Sequence, residues 1–250
     1  MHYELILFFG IISFIYASVG FGGGSSYLAL LALYALPFQE MKLTALVCNI
    51  VVVTGGTLLY WKRGELPLKK IIPMAAVSVP MAFVGARLKI SEHTFFVVLG
   101  ICLIIVGALL WVRTTNVAGD GSGKQINYLR DGALGGAVGF LSGMVGIGGG
   151  IFLSPILNLM GWDSPRRIAA TASAFILINS IAGIAGQLSS LNVSVNTTQL
   201  GMLAIAVFAG GQLGSRAGAL KFSELAVRRV TGCLVLAAGV EVLIRQWSAS

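Results

Sequence analysis

The chain has 250 residues, 56% hydrophobic and only 10% charged, with a mean hydropathy of +0.90. A soluble domain carries about 25% charged residues, so most of this chain cannot face water and it reads as an integral membrane protein. The net charge of +8 is therefore no nucleic-acid signature, because Lys and Arg sit in short connections between apolar runs, as in cytoplasmic loops.

Apolar runs cover about 4–20, 24–36, 43–60, 71–86 and 94–112, and a second set covers about 132–147, 150–160, 168–186, 200–215 and 230–244. Period-2 alternation is absent and the runs are mostly too long for strands, which leaves helices. Leu5 to Ala17 has the look of a signal-peptide core, but its leader Met1-His2-Tyr3-Glu4 lacks a positive segment. That first run also ends in a glycine stretch that recurs later. The two copies are Gly20-Phe21-Gly22-Gly23-Gly24 and Gly146-Ile147-Gly148-Gly149-Gly150. Thr114 to Tyr128 is polar and contains Gly and Ser, a linker that divides the chain into repeats at 1–113 and 129–250.

The halves align beyond the glycines. Gly20 and Gly146 are 126 apart, Asn49 and Asn179 are 130 apart, and Gly85-Ala86-Arg87 and Gly214-Ser215-Arg216 are 129 apart. Ser91-Glu92 pairs with Ser223-Glu224, and Gly100 and Gly107 pair with Gly232 and Gly239. The connection Trp61 to Lys70 carries Lys62, Arg63, Lys69 and Lys70, whereas its counterpart Gln187 to Gln199 carries no charge. Equivalent loops of opposite charge character predict opposite membrane sides, an inverted repeat. Placing 61–70 inside leaves only Lys42, Arg87, Lys89 and Arg245 in outside connections and the other thirteen basic residues inside. Both termini then lie outside.

At about 1.5 Å per residue, 24–36 and 150–160 would span roughly 20 and 17 Å, short of a hydrocarbon core of about 30 Å. The fold expected is all-α: six long helices around two re-entrant or broken pairs, dipping in from opposite faces with glycine tips near the midplane. Glycine lets a backbone turn sharply and lets other groups approach. A helix that restarts there offers free N–H groups and the positive end of its dipole, a potential anion site.

No Asp or Glu lies in the middle of an apolar run; Glu4, Asp131 and Glu241 stand near run ends. Intramembrane carboxylates mark proton relays and cation sites, so a cation pump is disfavoured. His2 and His93 are terminal or in a connection, and Cys48, Cys102 and Cys233 are isolated within apolar runs, where they read as small packing residues. No catalytic dyad, metal cluster or cofactor site can be assembled. What remains inside is neutral and hydrogen-bonding: Ser25, Ser26, Thr44, Asn49, Thr171, Ser173, Asn179 and Gln187. Weak binding by several neutral donors suits an anion that must also leave. Close helix packing is the competing use of each glycine. Interhelical bonding competes for Asn49 and Asn179, and snorkelling to the interface competes for Arg87 and Arg216.

The first glycine stretch, its second copy within Met144-Val145-Gly146-Ile147-Gly148-Gly149-Gly150-Ile151-Phe152, and the Gly-Ala-Arg and Gly-Ser-Arg positions together resemble the sulfite exporter TauE/SafE family. The resemblance covers essentially the whole chain. It implies a bacterial membrane permease with two related halves that moves sulfur-containing anions such as sulfite, sulfoacetate or other organosulfonates, usually outward. The family motif falls on Gly22, Gly23 and Gly24 and on Gly148, Gly149 and Gly150. The copies differ, with Phe21 against Ile147 and Ser25-Ser26 against Ile151-Phe152, so the two loops need not be equivalent.

The sequence therefore predicts a multi-pass inner-membrane secondary carrier working by alternating access on a small anion, with a homodimer compatible and no nucleic-acid partner. Its candidate site residues are Gly22, Gly23, Gly24, Ser25, Ser26, Asn49, Gly148, Gly149, Gly150, Thr171, Asn179, Arg87 and Arg216. Two rival readings stand beside it: a passive anion channel, and a membrane anchor for a sulfur-metabolising enzyme.

Overall fold

The computed structural model describes residues 3–18, 20–34, 36–112, 127–190 and 195–218, with helical positions at 229, 232–233, 236–237, 239–240, 242–244 and 247. The helices are α1 (Tyr3–Ala17), α2 (Gly24–Leu33), α3 (Phe38–Lys62), α4 (Leu68–Arg87), α5 (Glu92–Val112), α6 (Tyr128–Val145), α7 (Gly150–Leu159), α8 (Pro165–Ser190) and α9 (Thr197–Gly218). No strand occurs among the described residues. The linker expected at 114–128 lies outside them but for its last two residues, and so do Ser223-Glu224 and much of the tenth run. Asn127 survives as the cap of α6, its Oδ1 accepting from the Arg130 N–H at 3.0 Å.

Length sorts the helices. Phe38–Lys62, Leu68–Arg87, Arg166–Ser189 and Thr197–Ala217 are long and apolar enough to cross a membrane. The other two of the six expected long helices fall on α5, whose side chains are described in part, and on the tenth run. The helices α2 and α7 have 10 residues each, about 15 Å, and cannot cross.

Each short helix folds back along its predecessor. In the first pair Tyr16 OH and Ser26 Oγ are 2.6 Å apart near the loop, and Phe9 stacks on Tyr27. At the open end Tyr34 OH donates to Glu4 Oε2 at 3.0 Å. The second pair is closed the same way: Trp162 Nε1, just past α7, donates to Asp131 Oδ2 at the start of α6, at 3.5 Å. Both pairs are hairpins that return to the end of the bundle where they began. Their turns need glycine. Gly23 and Gly149, which start α2 and α7, have φ of 84° and 83°, a left-handed conformation that side chains disfavour.

Small residues hold the bundle. Gly135, Gly139 and Gly143, one per turn of α6, press on the backbone of α4; a Cβ on any of them would stand 2.8 Å from the Cα of Met74, Ser78 or Ala82 respectively. In return Gly85 of α4 abuts Phe140 O, as Gly214 of α9 abuts Phe14 O of α1. Residue numbers rise together in both pairings, so α4 and α6 run parallel, as do α1 and α9. Lipid tails are as apolar as side chains, so such close backbone packing supplies the attraction.

The central pair, α3 and α8, runs antiparallel. Gln187 Nε2 donates to Gln39 O at 2.6 Å, Gly183 faces Leu46, and Thr57 Oγ1 meets Ser173 Oγ at 3.0 Å. The pairings also exchange under a shift of five helices. Helix α4 on α6 matches α9 on α1, α4 on α8 matches α9 on α3, and α2 on α3 matches α7 on α8.

Candidate functional site

The hairpins bring the N-terminal ends of α2 and α7 together at the middle of α3. A Cβ on Gly24 would lie 2.8 Å from Ile147 O, so the two glycine loops touch. Asn49, halfway along α3 and fully buried, binds the junction: its Nδ2 donates to Ile147 O at 2.9 Å. Its amide fills the space where Gly22 and Gly24 would carry side chains and lies 3.0 Å from a Cβ on Gly148. Beside it is a small cavity lined by Tyr16, Phe21, Gly22, Gly23, Gly24, Ser25, Ile147, Ile151 and Ile176.

The two helix N-termini favour negative charge. Neither α2 nor α7 has a side-chain cap, and the first N–H groups of a helix have no partner within it. Buried polar atoms without a hydrogen-bond partner stand against the loops: Asn49 Oδ1, Ser142 Oγ and Ser180 Oγ; Asn179 Oδ1, the neighbour of Ser180 in α8, lacks one too. Ser25 Oγ lies beside Tyr16, whose hydroxyl is 2.6 Å from Ser26 Oγ. Ser180 Oγ and Ser142 Oγ stand 2.9 and 3.2 Å from the Cβ positions of Gly148 and Gly149. Leaving such groups unpaired is costly, and a ligand rich in acceptors would satisfy the hydroxyls. Each amide makes one bond within the protein. Asn179 Nδ2 donates to Phe175 O of its own helix at 2.8 Å, so each Asn spends one of its two N–H donors within the protein and leaves its oxygen without a partner. The donors left for an anion are hydroxyls, backbone N–H groups and the second N–H of each amide.

The remaining candidates divide. Gly22, Gly23, Gly24 and Ser25 line the cavity, and Ser26 is tied to Tyr16. Gly148 faces Ser180 and Asn49, Gly149 faces Phe175 and Ser142, and Gly150 faces Ile176 and Ala172. Thr171 is buried in α8, its Oγ1 donating to Arg167 O at 2.7 Å. Arg87 and Arg216 are exposed at the ends of α4 and α9, with Arg87 over the Phe83 ring. Neither arginine reaches the cavity. Sequence reasoning passed over Tyr16, Ser142 and Ser180, although Ser180 stands one turn from Ile176 on the face turned to the second loop. Lys42, expected in an outside connection, is inside α3 and 2% exposed. Of the cysteines expected to pack between helices, Cys48 and Cys102 are buried, but Cys233 is exposed because its helical position faces outward.

Polar contacts close both ends of the bundle. At one end Lys70 Nζ pairs with Asp163 Oδ2 at 2.8 Å and lies over the Trp162 ring, while Arg130 pairs with the buried Asp131 at 3.0 Å. At the other, Glu40 Oε1 accepts from the Asn196 N–H at 3.2 Å near the Gln187–Gln39 bond.

Membrane-crossing helices wrapped around buried polar loops define a multi-pass membrane transporter. Residues 5–242 match the family described as Sulfite exporter TauE/SafE, and the chain belongs to that family. It is 30% identical over 245 residues to "Probable membrane transporter protein y4hK" of Sinorhizobium fredii, covering 96% of this chain and 97% of that one. It is 26% identical over 246 residues to "Probable membrane transporter protein YunE" of Bacillus subtilis, covering 88% of each. A "Probable membrane transporter protein" of Xylella fastidiosa is 24% identical over 254 residues. No solved structure matches the chain. These relatives are named as transporters rather than enzymes, and an inner-membrane location is consistent with their bacterial sources.

Proposed function

We propose that this transporter exports a small sulfur-containing oxyanion, such as sulfite, sulfoacetate or another organosulfonate, by alternating access. The observation that carries the reading is the meeting of two uncapped half-helix N-termini at mid-α3. Each helix N-terminus is equivalent to roughly +0.5 charge, so the two together offset about one negative charge without burying a fixed cation at the contact. Ser25, Ser142 and Ser180 would add donors to the oxygens, and the family description supplies the substrate class.

The antiparallel α3–α8 pair and the exchange of helix pairings support an inverted repeat, whose halves rock about a fixed site. Contacts at both ends would then break in turn. The membrane potential, negative inside, drives an anion outward with about 2.3 kcal/mol per charge per 100 mV.

The test is efflux of sulfite and of sulfoacetate from proteoliposomes holding purified protein, with Asn49→Asp as control, since a carboxylate at the junction opposes an anion. Saturable efflux lost in the variant supports the reading. Unsaturable flux without counterflow exchange indicates a channel, and no flux of either anion rejects these substrates.

A further inference from the structure

The proposed central site carries no full charge, yet a buried cation stands next to it. Lys42 is 2% exposed in the second turn of α3. No described residue forms an ion pair or hydrogen bond with it; its ammonium lies over the Phe95 ring, 5.9 Å from the centroid. An aromatic face compensates only part of what a cation loses on leaving water. The burial also keeps it from lipid headgroups.

Its position ties it to the site. Lys42 and Asn49 are seven residues apart, two turns along one face of α3 and about 10 Å along its axis. The Lys42 stem packs on the second loop, 3.1 Å from where Gly146 would carry a Cβ. In the other half a Cβ on Gly20 would stand 3.1 Å from Tyr60 OH and 3.2 Å from the Ala169 Cβ. One hairpin tip therefore meets a lysine and its counterpart meets an alanine and a neutral tyrosine hydroxyl, so packing alone does not require the charge.

We propose that Lys42 is an anion station on the way from the central cavity to the face of the bundle where α3 begins, its missing counter-ion being the small oxyanion in transit. This rests on the transport reading above and extends it. The station makes the path electrically one-sided: an anion at the uncapped helix ends is drawn toward the Lys42 end and not toward the Ala169 end.

The experiment measures anion binding apart from flux. Thermal unfolding of the purified protein in detergent is followed against sulfite and sulfate concentration for the wild type, Lys42→Met, Lys42→Gln and Lys42→Arg. The wild type and Lys42→Arg should be stabilised saturably, while the two neutral variants should need about tenfold more anion or more for half the effect. In proteoliposomes the same variants should raise the sulfite KM by a similar factor while maximal efflux stays near wild type. Lys42→Gln serves if Lys42→Met does not fold. Equal half-effect concentrations in wild type and neutral variants, or no anion-dependent shift in the wild type, overturns the proposal. A wild-type shift lost in the neutral variants, with no flux from any liposome, keeps the station and rejects the transport reading instead.

Discussion

Asn49 and Asn179 occupy matching runs but are bonded differently. Asn49 reaches across to the opposite loop, whereas Asn179 turns to the carbonyl one turn back in its own helix. Asn49→Ala should cost about 1–3 kcal/mol, because Ile147 O is left buried and unpaired; thermal unfolding in detergent measures it, and a loss no larger than that of Asn179→Ala would argue against the bridge. The pairing of these residues was readable from sequence because a buried amide in an apolar run stands out. Their unequal bonding was not, since it depends on which carbonyl lies within reach. The matched Gly-x-Arg positions show the opposite case. Their repetition was plain, but the glycines account for it: Gly85 and Gly214 make the close backbone contacts and the arginines end the helices in the open.

Among the elements, the hairpins were the most legible, since glycine runs mark where a chain can reverse and 10-residue helices cannot cross. The helix neighbours were not legible: a glycine every fourth residue announces a close contact without saying with what. Gly139 meets Ser78 of α4, so Gly139→Leu should force these helices apart and cost about 1–3 kcal/mol or more. Gly201→Leu, on an exposed position of α9 with open space around it, should leave the unfolding midpoint unchanged. A similar loss in both would deny the stripe its role. The Lys70–Asp163 pair ties the start of α4 to the loop before α8. Lys70→Met and Asp163→Asn should each destabilise, the first less than a fully isolated charge would, because Arg167 stands 3.8 Å from the same carboxylate. The double variant should recover part of the loss. Strict additivity in thermal unfolding would show that the two side chains do not cooperate.

For the whole molecule, the charge distribution gave an orientation that labelling of introduced cysteines checks, with Cys48 and Cys102 buried. In a Cys233→Ser background, Lys89→Cys should react with a membrane-impermeant maleimide from outside intact cells, and Arg63→Cys only after permeabilisation. The reverse result would invert the assignment, and labelling of both from one side would deny that α4 crosses. Lys42 shows where charge counting fails, because a lysine at the edge of an apolar run can be enclosed by a hairpin from the other half of the chain. The unequal asparagines have a further consequence at this scale. If the two halves trade conformations during transport, the hydrogen bonds must trade too. Asn179 would then extend to Phe21 O while Asn49 folds back on Ala45 O, each amide alternately serving as the bolt and as the empty keeper of one lock. Asn179→Ala would leave the present conformation nearly as stable as wild type and yet halt turnover, whereas unimpaired turnover in that variant would mean that the lock has a single bolt.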